Sequence, residues 1–278
     1  MVYVIQTALE LGFMYALVAM ALFLSYRILD IADLTTDSGF VLGAAVSVTV
    51  AAAGHPFLAI LAAMVAGSCA GFVTAFLQTR LGVPSILAGI VTNTGLYTVN
   101  LMVMGWSSNV SLLKQSTLFT MMKETGIGGA WYKLIRATGD NADLVRASSV
   151  NPVFTITVGL CISNALTALS GAVVGQYQKS ADINGGTGIV VIGLACLIIG
   201  ETLIGRRSMA RNVLAALIGS IVYRFIYAII LKTGIVPIEC LKLVTAIVVA
   251  LAIAGPELKK WAAFQKRKMS ATARRGGK

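Results

Sequence analysis

The sequence predicts an all-α protein that crosses a membrane many times. Apolar residues make up 57% of its 278 residues, charged residues make up only 12%, and the mean hydropathy is +0.85. Several apolar runs reach the roughly 20 residues that a helix needs to cross the hydrocarbon core of a bilayer. No polar stretch is long enough for a second domain, so we expect one transmembrane domain over residues 1–256 and a basic tail over 257–278.

Eight apolar segments are candidate membrane spans. The first, at about 4–26, contains Glu10 and lacks a basic flank, so we expect a membrane helix there and not a cleaved secretory signal. The remaining segments lie at about 38–54, 57–79, 84–105, 152–175, 188–204, 212–232 and 237–254.

The basic residues predict how the chain is oriented. The formal net charge is +11, and much of the excess lies in short loops and in the tail, where Glu257 is the single acidic residue. Because short cytoplasmic loops of membrane proteins are enriched in Lys and Arg, we expect the C-terminus in the cytoplasm. Counting crossings back from the tail places the loop 133–151 inside and the loop 176–187 outside. The same distribution argues against nucleic-acid binding.

Counting from the front of the chain exposes a missing crossing. Arg27 and Arg80 should share the cytoplasmic side, so the span 84–105 should end outside, whereas Lys133 should lie inside. The sequence between them is too polar to be an obvious span. Three explanations stay open: 84–105 re-enters and returns, about one helix of sequence has been lost before Lys133, or the segment around 112–132 spans poorly.

The two halves of the chain share a weak internal repeat. The segment "DLTTDSGFVLG" from Asp33 resembles "DINGGTGIVVIG" from Asp182. We expect repeat one at about 30–105 and repeat two at about 179–255, inverted because the two Asp loops fall on opposite sides by charge. Inversion requires an odd number of crossings between the repeats, so the missing helix is expected on this ground as well.

The sequence contains no pattern typical of an enzyme. His55, the single histidine, lies in a Gly-His-Pro turn, and the four cysteines fall inside apolar runs without metal-ligand spacing. No glycine-rich phosphate-binding loop is present. We therefore expect no enzymatic activity, metal or cofactor in this chain, and any ATP should be bound by another chain.

A few polar residues lie at membrane depth. Amides at Asn93, Asn100 and Asn164 should either bond between helices or line a solute path. Arg224 should face the bundle interior in an ion pair or a carbonyl clamp, because a lone charge in lipid is costly. Glu201, at the end of its span, should reach the interface and need no special role.

Glycines predict close helix packing. Gly67-x-x-x-Gly71 and Gly171-x-x-x-Gly175 place small residues on one helix face, which lets backbones approach closely in lipid. The Gly-rich run 185–188 predicts a turn. The candidate path residues are Asn93, Asn164, Gly188, Gly193 and Arg224.

The most specific local pattern is the predicted cytoplasmic loop "RATGDNADLVRASSVNP" at 136–152. It predicts a turn and a short helix with Asn141 as N-cap and Asp143 in the first turn. A second helix follows, with Asn151 as N-cap and Pro152 at its first position. A capped amphipathic helix in the cytoplasm exceeds what a connector requires, so we expect it to dock onto a partner.

The sequence resembles the permease subunits of bacterial ABC importers of the branched-chain amino acid/ribose type, and within them the tryptophan- or tyrosine-type amino acid permeases. The resemblance covers nearly the whole chain. It is carried by "DLTTDSGFVLGAAV" (33–46), "LGVPSILAGIVTNTGLYTVNLMVMG" (81–105), "RATGDNADLVRASSVN" (136–151), "NALTALSGAVVGQYQ" (164–178), "GIVVIGLACLIIGE" (188–201), "GSIVYRFIYAI" (219–229) and "LKLVTAIVVALA" (241–252).

The resemblance implies a multi-pass subunit of the bacterial cytoplasmic membrane. It would pair with a second permease copy, with cytoplasmic ABC ATPase subunits and with an extracytoplasmic solute-binding protein. Motion of the ATPases would switch the access of the pathway through the cytoplasmic helix. Carried over residue by residue, the ATPase-coupling positions are Arg136, Gly139, Asp140, Asn141, Asp143, Arg146 and Asn151.

Two positions depart from the family pattern. Family members place a membrane helix directly before the Arg-Ala-Thr-Gly-Asp-Asn motif, whereas here "KETGIGGAWYKLI" leads into it, which favours an internal deletion. Ser149 also stands where the family has Gly. The alternatives are therefore a defective or repurposed permease, a membrane enzyme or scaffold, and an ion-coupled secondary carrier, for which the mid-span regions offer few carboxylates.

Overall fold

A computed structural model describes residues 2–112, 117–119, 152–205 and 208–233, together with isolated positions between 243 and 254. Within these ranges the chain forms seven α-helices and one antiparallel pair of short strands, so the predicted all-α fold is confirmed. The helices are α1 (Val2–Leu22, continued by a π-helical segment, Phe23–Ile28), α2 (Thr36–Ala52), α3 (Pro56–Thr79), α4 (Ser85–Val103), α5 (Pro152–Gln178), α6 (Ile189–Ile204) and α7 (Met209–Thr233). The strands are β1 (Asn109–Ser111) and β2 (Ser180–Asp182).

Five of the described helical segments are long and apolar enough to cross a membrane, namely Ile5–Ile28, Pro56–Thr79, Ser85–Val103, Val153–Gln178 and Arg211–Lys232. The two other apolar helices are shorter, with 17 residues in α2 and 16 in α6. At 1.5 Å per residue each is about 25 Å long, which is less than the hydrocarbon core of about 30 Å. The predicted span 237–254 and the basic tail fall almost entirely outside the described residues.

α1 and α5 run antiparallel and are joined by hydrogen bonds at regular intervals. Three side chains spaced seven residues apart on α5 donate to acceptors progressively nearer the start of α1. They are Ser163 Oγ to the Ala21 carbonyl (2.8 Å), Ser170 Oγ to the Met14 carbonyl (2.7 Å) and Tyr177 Oη to Glu10 Oε2 (2.7 Å). A spacing of seven returns to nearly the same face of a helix, so these bonds fix the register of the pair.

Glycines bring α2 and α3 against α5, as the sequence predicts. A Cβ on Gly67 or Gly71 of α3 would overlap backbone atoms of α5, and one on Gly171 of α5 would overlap the Phe40 carbonyl of α2. A Cβ on Gly43 of α2 would overlap the backbone of Ala168. Such approaches allow dispersion contacts and backbone dipoles to hold helices together in lipid, where no hydrophobic effect acts between them.

The bundle has two distinct ends. At one end β1 pairs with β2, with Asn109 opposite Asp182. At the other end the guanidinium of Arg27 binds Glu201 through two hydrogen bonds of 2.8 and 3.1 Å. We call these the strand end and the arginine end.

α4 runs directly from the arginine end to the strand end. It is one continuous helix, and its Val103 carbonyl accepts a hydrogen bond of 3.2 Å from Thr49 near the strand end of α2. Re-entry of the span 84–105 is therefore wrong. Residues 117–119 also lie at the strand end, because the Leu118 N–H donates to Gln176 Oε1 at 2.8 Å. The chain beyond residue 119 must return to the arginine end, where α5 begins.

Candidate translocation site

The segment before α2 carries a buried carboxylate. Asp33 is only 2% exposed. Its Oδ1 accepts the N–H of Thr35 at 2.9 Å, and its Oδ2 accepts Nδ2 of Asn164 on α5 at 2.7 Å. The Thr35 hydroxyl also bonds to that of Thr74 on α3, at 2.8 Å. Asn164 is predicted to bond between helices or to line a solute path; its partner here is the segment that leads into α2, so this segment is tied to α5 and α3.

Two amides of α4 bind the first turn of α2. Asn93 Oδ1 accepts the N–H of Ser38 at 2.9 Å, and the Asn93 carbonyl accepts the Ser38 hydroxyl at 3.0 Å. Asn100 Nδ2 donates to the Ser38 carbonyl at 3.1 Å. The first N–H groups of a helix have no partner within the helix, so Asn93 supplies one from a neighbouring helix. The interhelical role predicted for Asn93 and Asn100 is confirmed.

The first turn of α2 in turn caps α6. The carboxylate of Asp37 accepts the N–H groups of Gly188 at 3.1 Å and Val190 at 2.9 Å. Gly188 has a φ of +84°, a left-handed conformation that glycine adopts without strain. A carboxylate at a helix N-terminus is stabilised by the partial positive charge of the unpaired N–H groups. The predicted turn at 185–188 is confirmed, and its last residue lies against the start of α2.

The two short helices therefore begin side by side and leave in opposite directions. α2 runs toward the strand end, where Ala51 packs with Met104 and Ala181. α6 runs toward the arginine end, where Glu201 binds Arg27. We call the region where they begin, formed by Asp33, Asp37, Asn93, Asn164 and Gly188, the polar junction. A few residues further along α6, a Cβ on Gly193 would overlap the end of the Leu22 side chain of α1, so this glycine lies against α1.

Arg224 of α7 is predicted to form an ion pair or a carbonyl clamp, and within the described part of the chain it forms no ion pair. Its guanidinium carbon lies 3.5 Å from the ring centroid of Tyr15 on α1 and 5.8 Å from that of Tyr227. The aromatic faces take the place of an anion, since ring quadrupoles attract a cation. Among the described residues, its Nε and the hydroxyl of neighbouring Tyr223 are both buried without a hydrogen-bond partner.

A small cavity of about 60 Å³ opens at the strand end and reaches Tyr15. Its inner wall includes the ring of Phe40, whose centroid lies 5.7 Å from that of Tyr15 in a stacked arrangement. The lining residues are Tyr15, Phe40, Val41, Ala44, Val174, Gly175, Gln178, Ser180, Ala181, Asp182 and Gly185. The cavity has room for a few water molecules.

The prediction for Glu201 is wrong. The sequence places it at the end of a span, from which it should reach the interface, but the residue is 5% exposed and is bound by Arg27 in a bidentate pair. The partner lies 174 positions away in the sequence, so no local pattern could reveal it.

The predicted ATPase-coupling residues Arg136, Gly139, Asp140, Asn141, Asp143, Arg146 and Asn151 lie outside the described residues and stay predictions. Sequence reasoning missed the pairing of Asp37 with α6 and the stacking of Tyr15. It also missed a signal that is visible in the sequence. Polar residues at Ser163, Ser170 and Tyr177 recur every seven positions in an apolar span, which predicts one polar face.

A bundle of apolar helices, in which two short helices start side by side at a partly buried polar junction, defines a multi-pass membrane protein of transporter type. The chain belongs to the family of permease components of branched-chain amino acid transport systems, whose pattern matches residues 4–122 and 116–253. It is similar to the tyrosine transport system permease protein of Clostridioides difficile (strain R20291), with 31% identity over 265 residues, covering 87% of this chain and 88% of the relative.

An uncharacterized protein of Rickettsia prowazekii (strain Madrid E) is 32% identical over 275 residues, covering 91% of this chain and 97% of that protein. No solved structure matches the chain.

Proposed function

We propose that this chain is the membrane-spanning permease subunit of an ATP-driven importer of amino acids in a bacterial cytoplasmic membrane. Membership of the permease family carries the proposal, and the tyrosine transport permease among its relatives supports an amino acid as the solute. ATP is hydrolysed on separate cytoplasmic subunits, a solute-binding protein delivers the solute at the strand end, and a second permease copy completes the pathway.

The solute passes the polar junction. Asn93, Asn164, Gly188 and Gly193 lie in or next to it, and Arg224 stacks on Tyr15 at the inner wall of the cavity. The two halves form an inverted repeat, and the contact between α2 and α6 is where one half meets the other. Rocking of the halves about this contact would expose the junction to the strand end and the arginine end in turn.

The cytoplasmic loop 133–151 transmits the motion of the ATPases. We expect the double variant Asp140→Lys with Arg146→Glu to abolish ATP-dependent uptake of radiolabelled amino acids, because charge reversal at two positions breaks the docking of the coupling helix. Membrane insertion should be unchanged. Lys268→Glu, a charge reversal in the basic tail, is the matched control. Normal uptake in the double variant would contradict the coupling role.

The two carboxylates of the polar junction favour one other function. Asp33 and Asp37 are the kind of intramembrane carboxylates that an ion-coupled carrier uses, and the sequence alone did not reveal that they lie inside the bundle. Uptake by the purified chain in proteoliposomes without ATPase subunits, driven by a proton or sodium gradient, would favour this carrier. Uptake that requires the ATPase and ATP favours the importer.

A further inference from the structure

Arg224 carries a charge in a part of the chain where a charge is costly. It lies within the apolar span Arg211–Lys232, and among the residues that the structure describes it has no carboxylate partner. Its guanidinium rests on the face of Tyr15, and its Nε is buried without an acceptor. Ionisable residues inside a membrane are costly, and one without an anionic partner is a candidate solute or ion site.

A second unused donor lies beside it. Tyr223 is 2% exposed, and its hydroxyl has no hydrogen-bond partner in the described part of the chain. The Tyr223 side chain packs in a cluster with Ala19 of α1, one helical turn from Tyr15. Arg224 and Tyr223 therefore present two donors against the same stretch of α1. A buried donor without an acceptor is destabilising, and an anionic oxygen is a strong acceptor for either group.

Tyr15 contacts Arg224 and also lines the cavity. Its ring contacts Phe40 in a stack and also carries the guanidinium of Arg224. It is also part of the wall of the cavity that opens at the strand end. With this ring in place the cavity of about 60 Å³ is too small for an amino acid.

We propose that Arg224 and Tyr223 form a carboxylate-binding site for an incoming apolar or aromatic amino acid, and that Tyr15 is the gate between this site and the strand-end cavity. The proposal rests on the proposed transport function and adds the chemical group that is recognised. Arg224 binds the carboxylate, and the aromatic rings of Tyr15 and Phe40 contact the side chain of the solute.

The test measures access to the site in intact cells, with the four native cysteines replaced by alanine and Tyr223→Cys as the reporter. Two membrane-impermeant methanethiosulfonates are the probes, one bearing a sulfonate and one a trimethylammonium group. Tyr15→Ala should raise the rate of sulfonate labelling about tenfold, and the sulfonate should react about tenfold faster than the ammonium reagent. Arg224→Gln should abolish that preference.

Matched controls lie on the same two helices. Tyr26→Ala changes an exposed tyrosine of the π-helical segment that continues α1, and Arg211→Gln changes an exposed arginine at the start of α7. Both should leave the rates unchanged. The ratio of the two reagents is taken within each variant, so a misfolded fraction lowers both rates alike. Rates that Tyr15→Ala leaves unchanged overturn the gate. Equal reactivity of the two reagents with Arg224 present overturns the anion site.

The solute class is tested by protection in the Tyr15→Ala background. L-leucine should slow sulfonate labelling of the Tyr223→Cys reporter, whereas isoamylamine, the same molecule without its carboxylate, should not. Equal protection by both, or by neither, overturns carboxylate recognition. Labelling requires neither ATP nor partner subunits. Loss of ATP-dependent uptake by the unmodified chain, with this labelling pattern intact, would therefore count against the proposed function and not against the site.

Discussion

Single buried polar residues hold this bundle together by bonding to the backbone of a neighbouring helix. Ser163, Ser170 and Ser220 each donate to a carbonyl of α1, and Ser47 donates to one on α5. In lipid the alternative for such a hydroxyl is an unsatisfied donor, so each bond stabilises one relative position of two helices. The same principle explains why the Asp33 carboxylate is surrounded by donors.

The ion pair between Arg27 and Glu201 links the π-helical segment to α6 at the arginine end. We expect Arg27→Ala to lower the free energy of unfolding by about 2–3 kcal/mol, because it removes both hydrogen bonds to a buried carboxylate. Breaking a fully buried ion pair lowers the free energy of unfolding by about 3–5 kcal/mol. We expect a smaller loss here because the Arg27 side chain is 32% exposed. Thermal unfolding in detergent measures the change.

Arg80→Ala is the control for that substitution, since Arg80 is an exposed arginine at the end of α3. It should leave the unfolding temperature unchanged. Adding Glu201→Gln to Arg27→Ala should recover part of the loss, because the buried charge disappears with its partner. An additive loss in the double variant would mean that the two residues do not stabilise each other.

The roles of these residues were only partly predictable. Asn93 and Asn100 could be predicted to bond between helices because an amide in an apolar span needs partners nearby. The partner of Glu201 and the ring under Arg224 could not, since they lie on helices far away in sequence.

At the level of helices, the apolar runs predicted each described helix to within a few residues of its ends. The predicted span 84–105 is α4, Ser85–Val103, and the predicted span 57–79 is α3, Pro56–Thr79. It was harder to predict which face of each helix packs against its neighbours, because a helix that is apolar all around gives no periodic signal. Glycines indicated the packing face where two helices approach closely, as at Gly67 and Gly71.

The contact between α2 and α5 tests this interpretation. We expect Gly43→Ala to destabilise the protein by about 1–3 kcal/mol, because its Cβ would overlap the backbone of Ala168, which cannot move without shifting α5. Gly95→Ala on α4 is the matched control, since nothing lies within 4 Å of its added Cβ. It should be neutral or stabilising, because alanine has the higher helix propensity. Equal unfolding temperatures for both variants would contradict tight packing at Gly43.

For the molecule as a whole, residue 118 lies at the strand end and α5 begins at the arginine end, so the sequence between them has to cover the length of the bundle. If the coupling loop begins at 133, only residues 120–132 are left for the crossing. As a helix these would span about 20 Å, short of a hydrocarbon core of about 30 Å. An extended segment would reach further but would leave its backbone groups unpaired in lipid.

The alignments with the two relatives contain about one helix of sequence that this chain lacks. The alignment of 265 positions with the tyrosine permease covers 87% of the 278 residues here, or about 242, which leaves about 23 positions without a counterpart in this chain. The same comparison for the Rickettsia protein, 275 positions against 91% or about 253 residues, leaves about 22. Each difference equals one membrane helix. The family pattern also matches in two pieces, which meet at 116–122.

Whether the chain crosses the membrane between Ser108 and Ala142 can be decided by finding the side of the membrane on which each of these residues lies. Ser108 is exposed next to β1 at the strand end, whereas Ala142 precedes α5, which begins at the arginine end. In a cysteine-free background on intact cells, we expect a membrane-impermeant thiol reagent to label Ser108→Cys and to spare Ala142→Cys until the cells are permeabilised. Ser180→Cys, on β2, should label like Ser108→Cys and serves as the control.

Labelling of Ser108→Cys with protection of Ala142→Cys would mean that the short segment after residue 119 crosses the bilayer and that a transport-competent topology is kept. Labelling of both Ser108→Cys and Ala142→Cys in intact cells would mean that α5 cannot start from the cytoplasm, and the chain would then be a permease that has lost one helix and, with it, ATP-driven transport.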